Sequence, residues 1–155
     1  MKYLHKLFFL NAVKTEKKIE LYISSSAIDS MTWHKKDLTE GTTLHTNIMP
    51  SKKNDVYINH LVDGHPENVN QIIFDGLFFK CTAHYASAEG TMKKYSAWIN
   101  PDNIATMYAG QPDSTIIYFD SGSIITVSNK LSEVVKNLLE HNKKVKARRS
   151  QKYGK

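Results

Sequence analysis

Two short stretches of this chain contain residue types that can bind metals or act as nucleophiles. In the first, Cys81 and His84 are separated by two residues, and a thiol beside an imidazole can form a thiolate–imidazolium pair or supply two metal ligands. The surrounding residues predict a strand, however, and side chains three positions apart on a strand point to opposite faces of the sheet. We therefore expect Cys81 to be a buried structural residue.

The second stretch is NHLVDGHPEN, in which His60, Asp63 and His65 surround the flexible Gly64. Imidazole and carboxylate groups are common metal ligands, but a site needs further ligands at a known spacing, and none follows here. The same segment is typical of a loop that leads into a helix, because proline suits the first helical turn and Pro66 follows directly. We therefore predict that the chain binds no metal and no cofactor.

Known catalytic motifs are also missing from the sequence. Asp113 and Asp120 bracket an apolar run and lie in predicted turns, where carboxylates commonly cap backbone N–H groups, and neither has an acid–base partner nearby. There is no glycine-rich phosphate loop, no nucleophile elbow and no His-Glu-x-x-His segment. The sequence therefore predicts a protein that is not an enzyme.

The positive charge of the chain is concentrated at its C-terminal end. The net charge is +6, but seven of the 21 Lys and Arg residues lie in 143–155, where there is no acid, leaving 14 bases against 15 acids elsewhere. The body therefore carries −1 and the tail +7. Clustered cations bind phosphates by releasing condensed counterions. The predicted nucleic-acid or polyanion-binding residues are Lys143, Lys144, Lys146, Arg148, Arg149, Lys152 and Lys155.

Residues 96–140 predict a unit of strands that ends in a helix. Turn-forming residues at 100–102 and 111–113 separate apolar runs, and the runs 115–119 and 124–127 flank a short loop that contains Gly122, which is typical of a hairpin. Helical spacing then follows at Leu131, Val134, Val135, Leu138 and Leu139. Strand alternation and helical spacing together predict a shared core of Phe79, Trp98, Ile104, Ile116, Val127, Val134 and Leu138.

The order and spacing of these elements occur twice along the chain. A lysine pair followed by a short strand and a turn is found at 17–24 and again at 93–100, and Leu-Phe-Phe is found at 7–9 and again at 77–79. A short strand before an apolar helical series is also repeated. We infer an internal duplication. The alternative is that any two small β-rich segments resemble each other by chance. The duplication predicts that Ile23 and Ile28 correspond to Ile99 and Ile104.

The predicted fold class is mainly β (α+β). It consists of two tandem β-hairpin-plus-helix units, which form small sheets or an open barrel with a C-terminal helix. The first β-rich repeat is predicted at 1–75, the second repeat with the C-terminal helix at 76–142, and the basic tail at 143–155.

Residues 96–140 resemble the small FlbD family of flagellar-associated proteins, and the matching positions are Asn100, Pro101, Ile104, Pro112, Asp113, Ser114, Gly122, Glu133, Val134 and Val135. The stretch is also similar to the C-terminal half of LytTR-type DNA-binding domains, in which a hairpin ends in Val-Ser, as Val127-Ser128 does here. The arginines and the His-Arg pair that LytTR domains use near DNA are absent. The FlbD resemblance implies a fold and a regulatory or accessory role, and it implies no catalytic residue.

The sequence thus predicts a non-enzymatic binding protein, a nucleic-acid-associated accessory or regulatory module that acts through its basic C-terminal tail. The alternative is a structural or assembly component of a large complex, such as a flagellar, secretion or phage particle. In such a complex the sheet edges would pair with neighbouring proteins, or with further copies of the chain in a homo-oligomer. The single Cys81 and the lack of a signal-peptide pattern favour the cytoplasm, or a viral particle if the assembly alternative holds. No membrane partner is expected.

Overall fold

The computed structural model describes residues 3–10, 18–36, 39–49 and 57–153, and the chain divides into two compact units. The first unit consists of Met1–Phe78 together with Trp98–Asn100, and the second consists of Phe79–Ala97 together with Pro101–Lys155. The protein is mainly β, with tandem strand-rich units and a C-terminal helix, so the predicted fold class is confirmed.

The first unit contains five strands and a short helix. They are β1 (His5–Phe8), β2 (Glu20–Ile23), β3 (Ile28–Lys36), β4 (Thr39–Thr46), β5 (Asn59–Asp63) and α1 (Pro66–Asn68). A 3₁₀ turn at Ser25–Ala27 separates β2 from β3, and α1 continues as a single π-helical turn at Val69–Ile73. β1 and β2 form an antiparallel pair, and the order β5-β4-β3 forms an antiparallel sheet.

The second unit contains the remaining strands and the long helix. They are β6 (Phe79–Ala86), β7 (Met92–Ile99), β8 (Ile104–Gly110), β9 (Ser114–Phe119), β10 (Ile124–Val127) and α2 (Leu131–Tyr153). A 3₁₀ turn at Pro101–Asn103 lies between β7 and β8. The strand order is β7-β6-β10-β9-β8, so β8 is the last strand in this order. The last two residues of β7 belong to the first compact unit.

The local sequence explains where these elements begin and end. The β9–β10 hairpin forms as predicted, because Gly122 adopts a φ of 89° in the loop, where the Phe119 N–H donates to the Ser123 carbonyl over 2.9 Å. The helix predicted near Pro66 also begins there. The His65 side chain accepts a hydrogen bond from the backbone N–H of Glu67 and so caps the helix.

The predicted core of the second unit is only partly correct, and in β9 the buried face is shifted by one position. Val127, Val134 and Leu138 are buried as predicted, but Ile116 is only half-buried, as are Ile104 and Phe79. The register pairs Thr115 with Val127 and Ile117 with Ile125, so alternation places Thr115, Ile117 and Phe119 on the buried face. Trp98 is buried, but it belongs to the first unit.

The two units contain matching structural details at matching positions. Ile23 and Ile99 are the last residues of β2 and β7, and Ile28 and Ile104 are the first residues of β3 and β8. The pairing of β3 with β4 shifts register directly after Ile28, and the pairing of β8 with β9 shifts directly after Ile104. Each unit therefore has an irregularity at the start of the strand that follows its 3₁₀ turn.

Buried threonines show the same correspondence. Thr42 donates its hydroxyl to the Gly64 carbonyl over 2.7 Å, and Thr115 donates to the Asn129 carbonyl over 2.9 Å. Each threonine is completely buried and is paired with a valine, Val62 or Val127, that lies two residues before the accepting carbonyl.

The Leu-Phe-Phe recurrence is not part of this correspondence. Residues 7–8 lie within β1, whereas residues 77–78 precede β6. The matched details are those that a duplication would produce, and the duplication itself stays a prediction.

Candidate nucleic-acid interface

Helix α2 carries the predicted polyanion-binding residues, and its first four turns are held against the second unit. Val134, Leu138 and Val145 are buried, at the spacing that keeps side chains on one helical face. The ring of His141 also lies edge-on to Phe79 of β6, with centroids 5.5 Å apart. The apolar face therefore fixes the helix as far as Val145.

Beyond this face, α2 continues as a cationic helical end. We call residues 143–152 the basic segment. The residues predicted as the basic tail continue the helix as far as Tyr153, and Lys155 lies outside the described residues. Every side chain from 146 to 152 is exposed. The exposed cations of the basic segment are Lys143, Lys144, Lys146, Arg148, Arg149 and Lys152.

The basic segment concentrates charge within a short length of helix. Its first and last cations are nine residues apart, which corresponds to about 14 Å at 1.5 Å per residue. A rotation of about 100° per residue distributes the six cations around the whole helix circumference. Lys144 and Arg148 are four residues apart, as are Arg148 and Lys152, so like charges face each other along the helix.

Two interactions offset part of this repulsion. The helix dipole favours cations in the last turns, and the Arg148 Nε donates to the Lys144 carbonyl over 3.4 Å. No acid lies in the basic segment. A polyanion bound there would therefore relieve the repulsion between the cations.

The structure places Cys81 and His84 on β6, as predicted, and gives them separate environments. Cys81 is half-buried rather than buried as predicted, and this partial burial raises the pKa of its thiol to about 12, so the thiol stays protonated at neutral pH. His84 shares a 2.8 Å hydrogen bond between its Nδ1 and the Ser128 Oγ. This arrangement does not form a thiolate–imidazolium pair.

The histidines of the second candidate segment have structural contacts. The His60 ring lies edge-on to Phe9, with centroids 5.6 Å apart, and burial lowers the His60 pKa. His65 caps α1, whereas Asp63 ends β5 as an exposed residue. In the part of the chain that the structure describes, no group of three or more His, Cys, Asp or Glu residues is arranged to hold a metal ion. Asp113 and Asp120 are exposed residues in turns.

Sequence reasoning missed an aromatic cluster in the first unit. The His65 ring lies 5.4 Å from that of Trp33 and 6.0 Å from that of Trp98. The Trp98 Nε1 donates to the Glu67 Oε2 over 3.1 Å, and the Trp33 Nε1 donates to the Glu40 Oε1 over 3.1 Å. The chain positions of these residues are far apart, so no local pattern could have indicated the cluster.

Comparison with known proteins does not assign the chain to a family. No protein-family model matches the sequence, and neither does any curated protein or solved structure. The resemblances to FlbD and LytTR-type domains therefore stay predictions. No helix within the described ranges is both long enough and apolar enough to span a membrane.

Proposed function

We propose that this chain is a non-enzymatic, nucleic-acid-associated accessory protein and that the basic segment of α2 makes the phosphate contacts. The observation that carries this proposal is the charge distribution. Six exposed cations occupy one helical end that contains no acid, while residues 1–142 carry a net charge of −1. The folded body therefore offers a polyanion much less attraction than the helix does.

The dimensions of the basic segment suit a nucleic-acid groove. An α-helix with its side chains is about 10–12 Å wide, and the major groove of B-form DNA is about 12 Å wide. Beyond the buried Val145, the exposed cations lie on several sides of the helix and can contact phosphates of both strands. Phosphate contacts position a protein without reading bases, so we expect little sequence preference.

Paired substitutions test this proposal against a matched control. Lys143→Gln with Lys144→Gln removes two charges from the basic segment, and Lys93→Gln with Lys94→Gln removes two exposed charges from β7. Each lost phosphate contact lowers the slope of log K against log salt by about 0.9 on duplex DNA. We expect the first pair to lower the magnitude of the slope by up to about 1.8, with the control pair close to wild type.

Fluorescence anisotropy of a labelled duplex across a salt series measures this slope. Equal slopes for the two double variants would contradict the proposal, because they would show that the phosphate contacts lie outside the basic segment.

A second candidate function is an assembly component of a larger flagellar, secretion or phage particle. It is favoured by β8, which ends the strand order and contains neither a charge nor a proline. Such a strand is open to pairing with another chain. An assembly held by sheet pairing and apolar burial would tolerate salt, whereas phosphate binding would weaken steeply. The accessory protein would work in the cytoplasm, and the assembly component would work in its particle.

A further inference from the structure

Strand β8 has an unprotected edge. It ends the strand order of the second unit, and in the described part of the chain only β9 pairs with it. Its sequence, IATMYAG, has none of the lysines or prolines that commonly block edge strands. Ala105, Thr106, Tyr108 and Ala109 are all exposed. The backbone groups of β8 that point away from β9 are therefore not blocked by any lysine or proline of the strand.

The first unit shows how the corresponding edge is covered. β3 corresponds to β8 because each follows a 3₁₀ turn and each has a register shift after its first residue. Residues Trp98–Asn100 lie against the start of β3. The Asn100 N–H donates to the Asp29 carbonyl over 2.8 Å. The Asn100 side-chain amide donates to the Ser25 and Ile28 carbonyls over 2.9 and 3.1 Å.

This covering segment is the end of β7, and β7 has its own counterpart in the first unit. Both β2 and β7 end in an isoleucine that is separated by one residue from a 3₁₀ turn, so residues 22–24 correspond to Trp98–Asn100. Only β1 pairs with β2 among the described residues, and the exposed fraction of Tyr22 is 54%. The corresponding Trp98 is 2% exposed. Tyr22 is therefore open to solvent where the corresponding Trp98 is covered, although Ile23 is buried, as is the corresponding Ile99.

We propose that β2 of a second copy of this chain adds to the β8 edge, in the way that Trp98–Asn100 lies on the start of β3. The carbonyl of Ala105, which corresponds to Asp29, would accept a hydrogen bond from the N–H of the second copy's Ser24. The two surfaces differ, so the contact is heterologous and each copy retains one open edge. Copies would therefore associate head to tail. This inference does not depend on nucleic-acid binding.

Sedimentation velocity of the full chain at increasing concentration tests the proposal. High salt and nuclease treatment keep polyanions from bridging the basic segments. We expect species larger than a monomer whose proportion rises with concentration by mass action. A single monomeric species from micromolar to near-millimolar concentration would overturn the proposal.

Proline substitutions block the two edges separately. Ser24 has a φ of −81°, which proline can adopt, so Ser24→Pro removes the N–H without forcing the backbone to move. Ser24→Ala is its control, because it removes the same hydroxyl cap and keeps the N–H. Ala105 is exposed and is skipped by the pairing with β9, so Ala105→Pro keeps the carbonyl but places a proline ring that obstructs strand pairing at the other edge. Ala88→Pro in an exposed turn is its control.

Each edge-blocked variant should be monomeric by itself, whereas both controls should associate as the wild type does. A mixture of the Ser24→Pro and Ala105→Pro variants should form a one-to-one dimer, because one variant retains the β8 edge and the other retains β2. Association of either variant alone, or no dimer in the mixture, would overturn the pairing proposed here. Ala105→Lys provides a second block with an exposed side chain if Ala105→Pro fails to fold, as judged by circular dichroism.

Discussion

The buried face of α2 makes a stability prediction that two adjacent leucines can test. Leu138 is 8% exposed, whereas the next residue, Leu139, is 57% exposed. Leu138→Ala deletes a buried branched side chain and leaves a cavity that the surrounding strands and helix fill only in part. Such substitutions cost about 2–5 kcal/mol. Leu139→Ala removes little buried area and places a better helix former on the surface, so we expect a change within about 0.5 kcal/mol.

Urea unfolding followed by circular dichroism gives both free energies of unfolding on the same helix. The comparison is controlled, because both variants delete the same atoms from neighbouring positions of α2. A cost for Leu138→Ala below about 0.5 kcal/mol, or equal costs at the two positions, would show that the face of Leu138 is not covered. The assignment of the helix to the second unit would then be wrong.

Three further predictions concern single side chains. Thr42→Val and Thr115→Val each remove a buried hydroxyl donor to the Gly64 or Asn129 carbonyl. Each should lower the free energy of unfolding, measured by chemical denaturation, by about 1–3 kcal/mol. A negligible change at either position would refute the matching roles of the two threonines. Since burial raises the pKa of Cys81 to about 12, the folded protein should react slowly with a thiol reagent at neutral pH, and rapid labelling without denaturant would contradict this. Burial lowers the pKa of His45 below 6.5. Neutral His45 therefore contributes to stability above pH 6.5, and this contribution is lost as the pH falls through the lowered pKa. His45→Gln should therefore lose less thermal stability than wild type between about pH 7.5 and pH 5, and an unchanged loss would count against this reasoning.

The periodic parts of the sequence predicted the second unit well. The β9–β10 hairpin and the start of α2 follow from alternating apolar residues, a glycine loop and helical spacing, all of which are local signals. The face of β9 could not be predicted in the same way. Ile116 and Ile117 are equally apolar, and only the pairing of Ile117 with Ile125 decides which of them is buried.

The non-local features of the first unit could not be predicted from the sequence. Residues Trp98–Asn100 are placed in this unit by hydrogen bonds to Ser25, Ile28 and Asp29, about seventy residues earlier in the chain. Such contacts depend on the assembled sheet and leave no periodic signal. The basic segment was found from composition alone, but composition could not show that it continues the helix as far as Tyr153.

The most direct test of the proposed function compares the full chain with a chain that ends at Asn142. The shorter chain loses the buried Val145 but keeps Val134 and Leu138, so it should fold, and circular dichroism checks this. Affinity for a DNA duplex and for single-stranded RNA is then measured for both chains across a salt series. We predict strong, salt-sensitive binding by the full chain, and weak binding with a flattened salt slope by the shorter one. Equal affinity of the two chains, or no binding by either, would contradict the proposal that the basic segment binds nucleic acid.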